Sequence, residues 1–312
     1  MPRRHEGVFP FHDGGNYSGG EDGTNVHGLF GALVVEPAGS IWRDPVTGRR
    51  SREGNVFQEL DGLYVDILPE NAQEGPDPES NTTLEDHAWP APEAYTAFDQ
   101  LAHREFVIVF HDEPEFQPPH GEAPTNPCAA AEGGDGGGHG NGGEHETMLP
   151  IMPISYRAEP MINREHTLWG LLEEGHVLTR PVLNEEQHHS SWMFGDPATP
   201  ILKAYIGDPV RIRLLHAGVL ETHVFHLHLY EWHAVPEERS SPRIDAISIS
   251  PQTGHTIEPL WGAGNRQQVA GDAIWHCHLY PHFHEGMWGI FRTFETRQDG
   301  AEDARGRRAR QR

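Results

Sequence analysis

The stretch of sequence that decides the fold reads Asp272-Ala-Ile-Trp-His-Cys-His-Leu-Tyr-Pro-His-Phe-His-Glu-Gly-Met-Trp-Gly-Ile-Phe-Arg-Thr-Phe294. Its two ends are short apolar runs that contain aromatic and β-branched residues, which is typical of β-strands. The middle contains Pro281 and Gly286 and is dense in histidine, with one cysteine and one methionine. We therefore expect two strands joined by a loop whose side chains are metal ligands.

Similar short runs, separated by Gly- and Pro-containing turns, occur along much of the chain. The clearest are Arg104–His111, Val210–Leu215, Thr222–Leu229 and Asp245–Ser250. Two further short strands are expected between Phe9 and Glu36. Short alternating strands bounded by turn residues predict an all-β fold of antiparallel sandwiches.

Shifts in composition predict how the chain is organised. Residues 1–100 are expected to form a partial N-terminal domain and a linker, because a polar, turn-rich stretch follows Glu36. Residues 101–297 are expected to form a C-terminal domain. It is interrupted at 117–147 by a Pro- and Gly-rich insertion that cannot bury a core and should be disordered. Residues 298–312 are polar and Arg-rich and are expected to form a disordered tail.

The overall composition excludes several classes of function. The formal net charge of -24 over 312 residues argues against nucleic-acid binding. No apolar run approaches the roughly 18 residues that span a bilayer. The only cysteines are Cys128 and Cys277, which excludes a disulfide framework. Histidine is the outlier, with 23 residues, many of them clustered at regular spacing.

Two histidine clusters have the spacing of neighbours on one face of a strand. Side chains two positions apart in a strand point to the same side, so His226 pairs with His228, and His276 with His278. If the two strands are adjacent, four imidazoles share one surface. Such a surface suits more than one metal ion.

A second ligand set faces the other way. Cys277 lies between His276 and His278 and must point to the opposite face, and His223 is an odd number of residues from His226. A loop can bring His282 and Met287 to the same place. Two histidines, one cysteine and a weak axial methionine are the ligands of a blue copper site. A structural zinc module is an alternative, but zinc usually takes more thiolates at Cys-x₂-Cys spacing.

The two ligand sets are joined by one residue triplet. An electron accepted at a metal held by Cys277 can leave through the backbone to His276 and His278, so these three residues are the candidate catalytic residues. A multinuclear centre on the far face suits O₂, because reducing O₂ to water requires four electrons.

At residues 223–228 and 276–287 the sequence resembles the multicopper oxidases, the family of laccases and bacterial metal oxidases. The resemblance extends over roughly residues 8–40 and 104–296 and implies cupredoxin-like Greek-key sandwiches. It implies type 1 copper ligands at His223, Cys277, His282 and Met287. It implies a type 2 ligand at His226 and type 3 ligands at His228, His276 and His278. Copper nitrite reductases are also two-domain cupredoxins but usually lack the second histidine of His-Cys-His, so His278 favours the oxidases.

The N-terminal end departs from this family. Its members take further cluster ligands from two His-x-His motifs in the first domain, and here only Phe11-His12-Asp13-Gly14 comes near, with Gly14 in place of the second histidine. His12 remains a candidate type 3 ligand. We expect an N-terminally truncated form of a laccase-like, bacterial two-domain member. The family resemblance also implies an extracellular or periplasmic location, although the first residues lack the apolar core of a signal peptide.

The leading interpretation is an oxidoreductase that uses O₂ as the electron acceptor. Its expected partners are O₂ and a small reducing substrate, such as a phenol, Mn(II) or Cu(I). The resemblance also implies a homotrimer, and no nucleic acid or membrane span is expected. The alternative is a non-enzymatic blue-copper protein with an incomplete cluster, which transfers electrons or binds copper.

Overall fold

The computed structural model describes residues 6–15, 23–25, 28–45, 50–51, 58–59, 62–69, 102–112, 151–162, 164–165, 167, 188–236, 238 and 240–295. Cys128, the predicted insertion at 117–147 and the predicted tail at 298–312 lie outside these residues. Among the described residues, no helix is long and apolar enough to cross a membrane.

The described residues form mainly β-strands, as the sequence predicted. The strands are β1 (Gly7–His12), β2 (Phe30–Val35), β3 (Ile41–Arg43), β4 (Arg50–Ser51), β5 (Gln58–Glu59), β6 (Gly62–Leu68), β7 (His103–Phe110), β8 (Ile201–Tyr205), β9 (Val210–His216), β10 (His223–Leu227), β11 (Trp232–His233), β12 (Arg243–Ile244), β13 (Ala246–Ile249), β14 (Gly254–Ile257), β15 (Gly271–Cys277) and β16 (Trp288–Phe294). Two short helices are α1 (Ser191–Phe194) and α2 (Tyr280–His284). The strands at both ends of the opening stretch and those at 104–111, 210–215, 222–229 and 245–250 are thereby confirmed.

Two sheets enclose the main core. The smaller has the order β13-β10-β15-β16-β8, and the larger has the order β14-β9-β7-β6-β3-β4, with β5 paired to β6. The core side chains come from both sheets, for example Phe106 and Ile212 from the larger and Phe225, Trp275 and Phe291 from the smaller. This is an all-β sandwich, as the sequence predicted. Burial of such large apolar side chains, at about 25 cal/mol per Å² of apolar surface, is the main stabilising term.

The register of β10 and β15 separates the two ligand sets. Cα partners across these strands are Phe225 with Cys277 and His226 with His276. Phe225 and Cys277 are fully buried in the core, whereas His226 and His276 point to the other side of the sheet. The alternation of faces predicted from the sequence is confirmed.

The first two strands form an antiparallel hairpin, and the hairpin packs on the outside of the larger sheet. Val8 contacts Leu215 and Ala217 in a small apolar cluster. Gly254 on β14 makes this approach possible, because a Cβ there would lie 2.3 Å from the Val8 carbonyl oxygen. Glu36, just after β2, ion-pairs with Arg213 of β9 at 2.9 Å.

The larger sheet crosses residue 100, where the sequence predicted a domain boundary. β6 pairs with β7 through Tyr64 with Phe106 and Asp66 with Arg104. Asp66 is fully buried between Arg43, whose Nη2 lies at 2.8 Å, and Arg104, whose Nε lies at 2.9 Å. A charged residue in a sequence is expected to be exposed to solvent. The strands at 41–43 and 62–68, which bury such residues, were therefore not predicted from the sequence. A boundary at residue 100 would cut a hydrogen-bonded sheet.

Candidate metal centre

The first candidate ligand group lies at one end of the core. His223, Cys277 and His282 are buried and bring their ligand atoms together. The two Nδ1 atoms are 3.0 Å apart, and Cys277 Sγ lies 3.8 Å from Nδ1 of His223 and 3.5 Å from Nδ1 of His282. Ligand atoms about 2.0–2.3 Å from one tetrahedral metal ion are roughly 3.3–3.6 Å apart, so the three atoms fit around a single ion.

The loop between β15 and β16 positions these side chains. Pro281 lies in the first turn of α2, where its missing N–H costs no helical bond. The turn closes through hydrogen bonds from the Met287 N–H to the His282 carbonyl at 2.9 Å and from the Cys277 N–H to the Met287 carbonyl at 3.0 Å. Gly286 adopts a φ of 111°, and a Cβ there would lie 2.7 Å from the Glu159 nitrogen. Only glycine fits this point of the loop.

Met287 is fully buried in the same core cluster as Cys277. Its backbone ties it to both His282 and Cys277, so the residue lies beside the group. Its role as a weak axial ligand stays a prediction.

The far sides of the two imidazoles are both held by carboxylates. His223 Nε2 lies 3.2 Å from Asp112 Oδ1, and His282 Nε2 lies 2.6 Å from Glu221 Oε2. Because an ionised carboxylate only accepts hydrogen bonds, the Nε2 atoms carry the protons and the Nδ1 lone pairs can face a metal. Neither carboxylate was predicted from the sequence. Asp112 is 111 residues from His223, and no local pattern links them.

Burial sets the protonation of this group. It raises the pKa of the Cys277 thiol and lowers the pKa of the His282 imidazole, which the neighbouring His223 lowers further. A neutral imidazole can bind a metal directly, whereas the thiol must release its proton. The Val224 N–H points at Cys277 Sγ at 3.4 Å and stabilises the thiolate.

The second candidate group lies on the outer face of the smaller sheet. His226, His228 and His276 bring their ring nitrogens together, with Nε2 of His228 and Nε2 of His276 3.1 Å apart. The His278 ring lies 5.2 Å from that of His226 and 5.5 Å from that of His276, between ring centroids. The structure therefore brings all four predicted histidines together. Their assignment to type 2 and type 3 copper stays a prediction.

Backbone carbonyls fix the tautomers of two of these histidines. His226 Nδ1 donates to the Asp245 carbonyl at 2.8 Å, and His276 Nδ1 donates to the Cys277 carbonyl at 2.8 Å. Both Nε2 atoms then present the lone pair with which an imidazole binds a metal. Burial lowers the pKa of His276 to about 3 and also lowers that of His228, so both are neutral at pH 7. Neutral imidazoles this close together can direct their nitrogen lone pairs at a metal cation.

The second group is open to solvent. His228 and His278 are exposed, and His226 is half-buried. Phe283 covers one side by stacking on His276, with ring centroids 4.3 Å apart. The exposed side of this histidine group leaves room for further metal ligands from another protein surface.

His12 does not join either group among the described residues. It is exposed on β1, and β1 packs on the larger sheet, whereas the second group lies on the outer face of the smaller sheet. Its role as a ligand stays a prediction.

Two further clusters of possible ligands lie outside the predicted set. Asp112 and His216 adjoin His223. Glu36, His103 and Glu105 form the other cluster, but Arg213 bonds both carboxylates at 2.9 Å. The guanidinium of Arg213 therefore already supplies the positive charge next to these carboxylates.

Comparison with known proteins finds a family model that matches the C-terminal part of the chain. The multicopper oxidase family model matches residues 176–297, which include both histidine groups. This part of the chain is therefore similar to the multicopper oxidases. The resemblance predicted from the sequence is confirmed over these residues.

Individual relatives match over a short stretch or at low sequence identity. A Kuenenia stuttgartiensis protein described as "Probable nitrite reductase-hydroxylamine oxidoreductase fusion protein" is 30% identical over 99 residues, 32% of this chain and 11% of the relative. A solved multicopper oxidase is 13% identical with a TM-score of 0.40, over 93% of this chain and 57% of that one. The copper nitrite reductase of Nitrosomonas europaea is 14% identical with a TM-score of 0.38, over 93% and 62%. The chain thus spans under two thirds of the length of these relatives.

Proposed function

We propose that the protein couples one-electron oxidation of a small reducing substrate at a type 1 copper to reduction of O₂ at a trinuclear copper cluster. The observation that carries the proposal is Cys277 between His276 and His278. Its thiol faces the buried ligand group, and its two neighbours face the open histidine group.

The type 1 site would use His223, Cys277 and His282, with Met287 as a weak fourth ligand. Bound copper supplies one-electron redox chemistry, for which thiolate and thioether ligands are suited. Glu221, whose side chain is 48% exposed, contacts His282. Because Asp112 and the core enclose His223, the solvent side of this site is the His282 edge. Electrons from the substrate would enter there.

The route between the two groups is short. Cys277 is covalently joined to His276 and His278, and the His276 Nδ1–H bonds the Cys277 carbonyl at 2.8 Å. This bond holds the imidazole against the backbone that carries the electron. The other face offers Nε2 atoms of His226, His228 and His276 for the cluster. His278 would be the fourth ligand from this chain.

A second copy of the chain would complete the cluster. His228 and His278 are exposed and His226 is half-buried. His12 lies on a hairpin over the opposite sheet and joins no ligand group among the described residues. An interface in which the hairpin of one copy covers the cluster of the next repeats head to tail and closes into a ring. We propose a homotrimer with the clusters between subunits, as the family resemblance implies.

We also propose that residues 41–68 fold with the C-terminal sandwich, because β6 pairs with β7. Residues 1–36 would then belong to the separate N-terminal domain. An extracellular or periplasmic location belongs to the same proposal and rests on the family resemblance alone. Cell fractionation tests it.

Two other functions are alternatives to this proposal. A blue-copper electron carrier would need only the buried group and leave the open histidines without metal. Nitrite is an alternative electron acceptor, because the 30% identical Kuenenia stuttgartiensis relative is described as a nitrite reductase fusion protein. His278 argues against nitrite, since nitrite reductases usually lack that histidine.

Reoxidation of the blue copper distinguishes the three functions. The copper-loaded protein is reduced without oxygen, and the return of its blue absorption is followed after adding O₂ or nitrite. Fast return with O₂ supports the proposal, fast return only with nitrite supports nitrite reduction, and slow return with both supports the carrier. The double variant His226→Ala/His278→Ala should stay blue yet reoxidise slowly. His233→Ala, which alters a histidine outside both groups, is the matched control.

A further inference from the structure

Asp112 is a buried carboxylate that follows β7 and contacts the candidate type 1 group. Only 2% of the residue is exposed. We propose that Asp112 is a positioning residue of the type 1 site, which fixes the tautomer of His223 and lowers the reduction potential of the copper. The inference rests on the proposed function, since it assumes copper at His223.

The two carboxylate oxygens of Asp112 have separate partners. Oδ2 accepts hydrogen bonds from the backbone N–H groups of Val219 and Leu220, each at 2.5 Å. Oδ1 accepts from Nε2 of His223 at 3.2 Å. One oxygen is anchored to the loop, and the other is aimed at the imidazole.

The neighbouring His216 does not compete for this contact. Its Nε2 donates to the Glu221 carbonyl at 2.6 Å, and its Nδ1 accepts from the Gly218 N–H at 3.0 Å. Its Nε2 lies 3.7 Å from Asp112 Oδ1, beyond hydrogen-bond distance. His216 is therefore fixed as a neutral neighbour, and His223 is the imidazole that Asp112 holds.

The backbone wraps closely around the carboxylate. A Cβ at Gly218 would lie 2.2 Å from Asp112 Cγ, so only glycine allows the 217–220 turn to close here. Asp112 is consequently held in one orientation. The other imidazole of the site has Glu221 as its partner, whose side chain is half exposed. The two histidines thus differ in their surroundings.

The contact has an electronic consequence. Asp112 Oδ1 can only accept, so His223 carries its proton on Nε2 and offers the Nδ1 lone pair to the metal. An anionic partner in a buried site makes the imidazole a stronger donor. A stronger donor stabilises Cu(II) relative to Cu(I), which lowers the reduction potential.

Asparagine cannot replace Asp112 in this role. Its single oxygen can serve the two loop amides or His223, but not both. If the oxygen faces the loop, the NH₂ group faces His223 and favours the tautomer with the proton on Nδ1. If it faces His223, the NH₂ group meets the N–H groups of Val219 and Leu220. Asp112→Asn should weaken copper binding at the type 1 site by about 10–100-fold, raise its reduction potential and shift its blue absorption.

Asp208→Asn is the matched control. Asp208 is also fully buried and accepts a backbone N–H, that of Tyr205 at 2.9 Å, but it belongs to neither ligand group. It should lower stability without changing the potential or the blue spectrum. Wild-type copper affinity, potential and spectrum in Asp112→Asn would overturn the proposal.

Nitrogen NMR of the metal-free wild-type protein tests the tautomer without any variant. The proposal predicts a proton on Nε2 of His223, and a proton on Nδ1 alone would refute it even if Asp112→Asn does not fold. If the wild-type protein binds no copper at the buried group, the proposed function fails while the tautomer result still stands.

Discussion

Glu36 ties the N-terminal hairpin to the larger sheet and makes its attachment sensitive to pH. Its side chain is 4% exposed and accepts from Arg213 Nη2 at 2.9 and 3.1 Å. Burial, followed by repulsion from Glu105, raises its pKa from 4.5 to about 7, although Arg213 opposes the shift. The folded protein therefore holds this proton up to about pH 7, whereas the unfolded chain releases it near pH 4.5.

The sign of the effect follows from proton linkage. Between pH 4.5 and 7 the folded state binds more protons than the unfolded state, so the free energy of unfolding falls as pH rises. The contribution is fully present below pH 4.5 and lost above about pH 7. At about 1.4 kcal/mol per pH unit, the loss is about 3 kcal/mol. Glu36→Gln keeps the shape but does not titrate, so it should not show this loss.

Urea unfolding of the metal-free protein from pH 4.5 to 8 measures the difference. The wild type should lose about 3 kcal/mol relative to Glu36→Gln across this range. Glu238→Gln, which removes an exposed carboxylate, should follow the wild-type curve. Parallel curves for wild type and Glu36→Gln would refute the reasoning, as would a wild type that gains stability relative to the variant.

Three other substitutions test the fold and the site. Cys277→Ser removes the only thiolate of the buried group, so the copper-loaded protein should lose its blue absorption; a blue variant would exclude Cys277 as the ligand. Gly254→Ala places a Cβ 2.3 Å from the Val8 carbonyl, so β1 should exchange its amide hydrogens faster and stability should fall by about 1–3 kcal/mol; unchanged exchange would contradict the packing. Phe225→Ala empties a fully buried core position and should cost about 3–5 kcal/mol in urea unfolding; a loss under 1 kcal/mol would contradict its place in the core.

The sequence predicted the strands whose apolar residues face the core. Period-two alternation is a local signal, and it identified β7, β10, β15 and β16. It failed at β3 and β6, where Arg43 and Asp66 are buried as an ion pair. A charge reads as exposed until its partner is known, and these partners are 23 residues apart.

One part of the candidate site was likewise predicted from the sequence, and another part was not. Alternation predicted that Cys277 faces away from His276 and His278, because side-chain direction in a strand is a local property. The carboxylates that hold the ligands were not predictable. Asp112 meets His223 only through the pairing of β7 with β9 and the turn after β9, and such tertiary contacts leave no periodic signal. The position of His12 over the opposite sheet was also not predictable from the sequence.

Copper content tests the central claim most directly. The purified, copper-loaded protein is analysed for copper per chain and assayed for O₂ consumption with a one-electron reductant. The account predicts about four copper ions per chain, one type 1 ion and three in the cluster, together with O₂ consumption. One copper per chain, with a blue colour and no O₂ consumption, would contradict it.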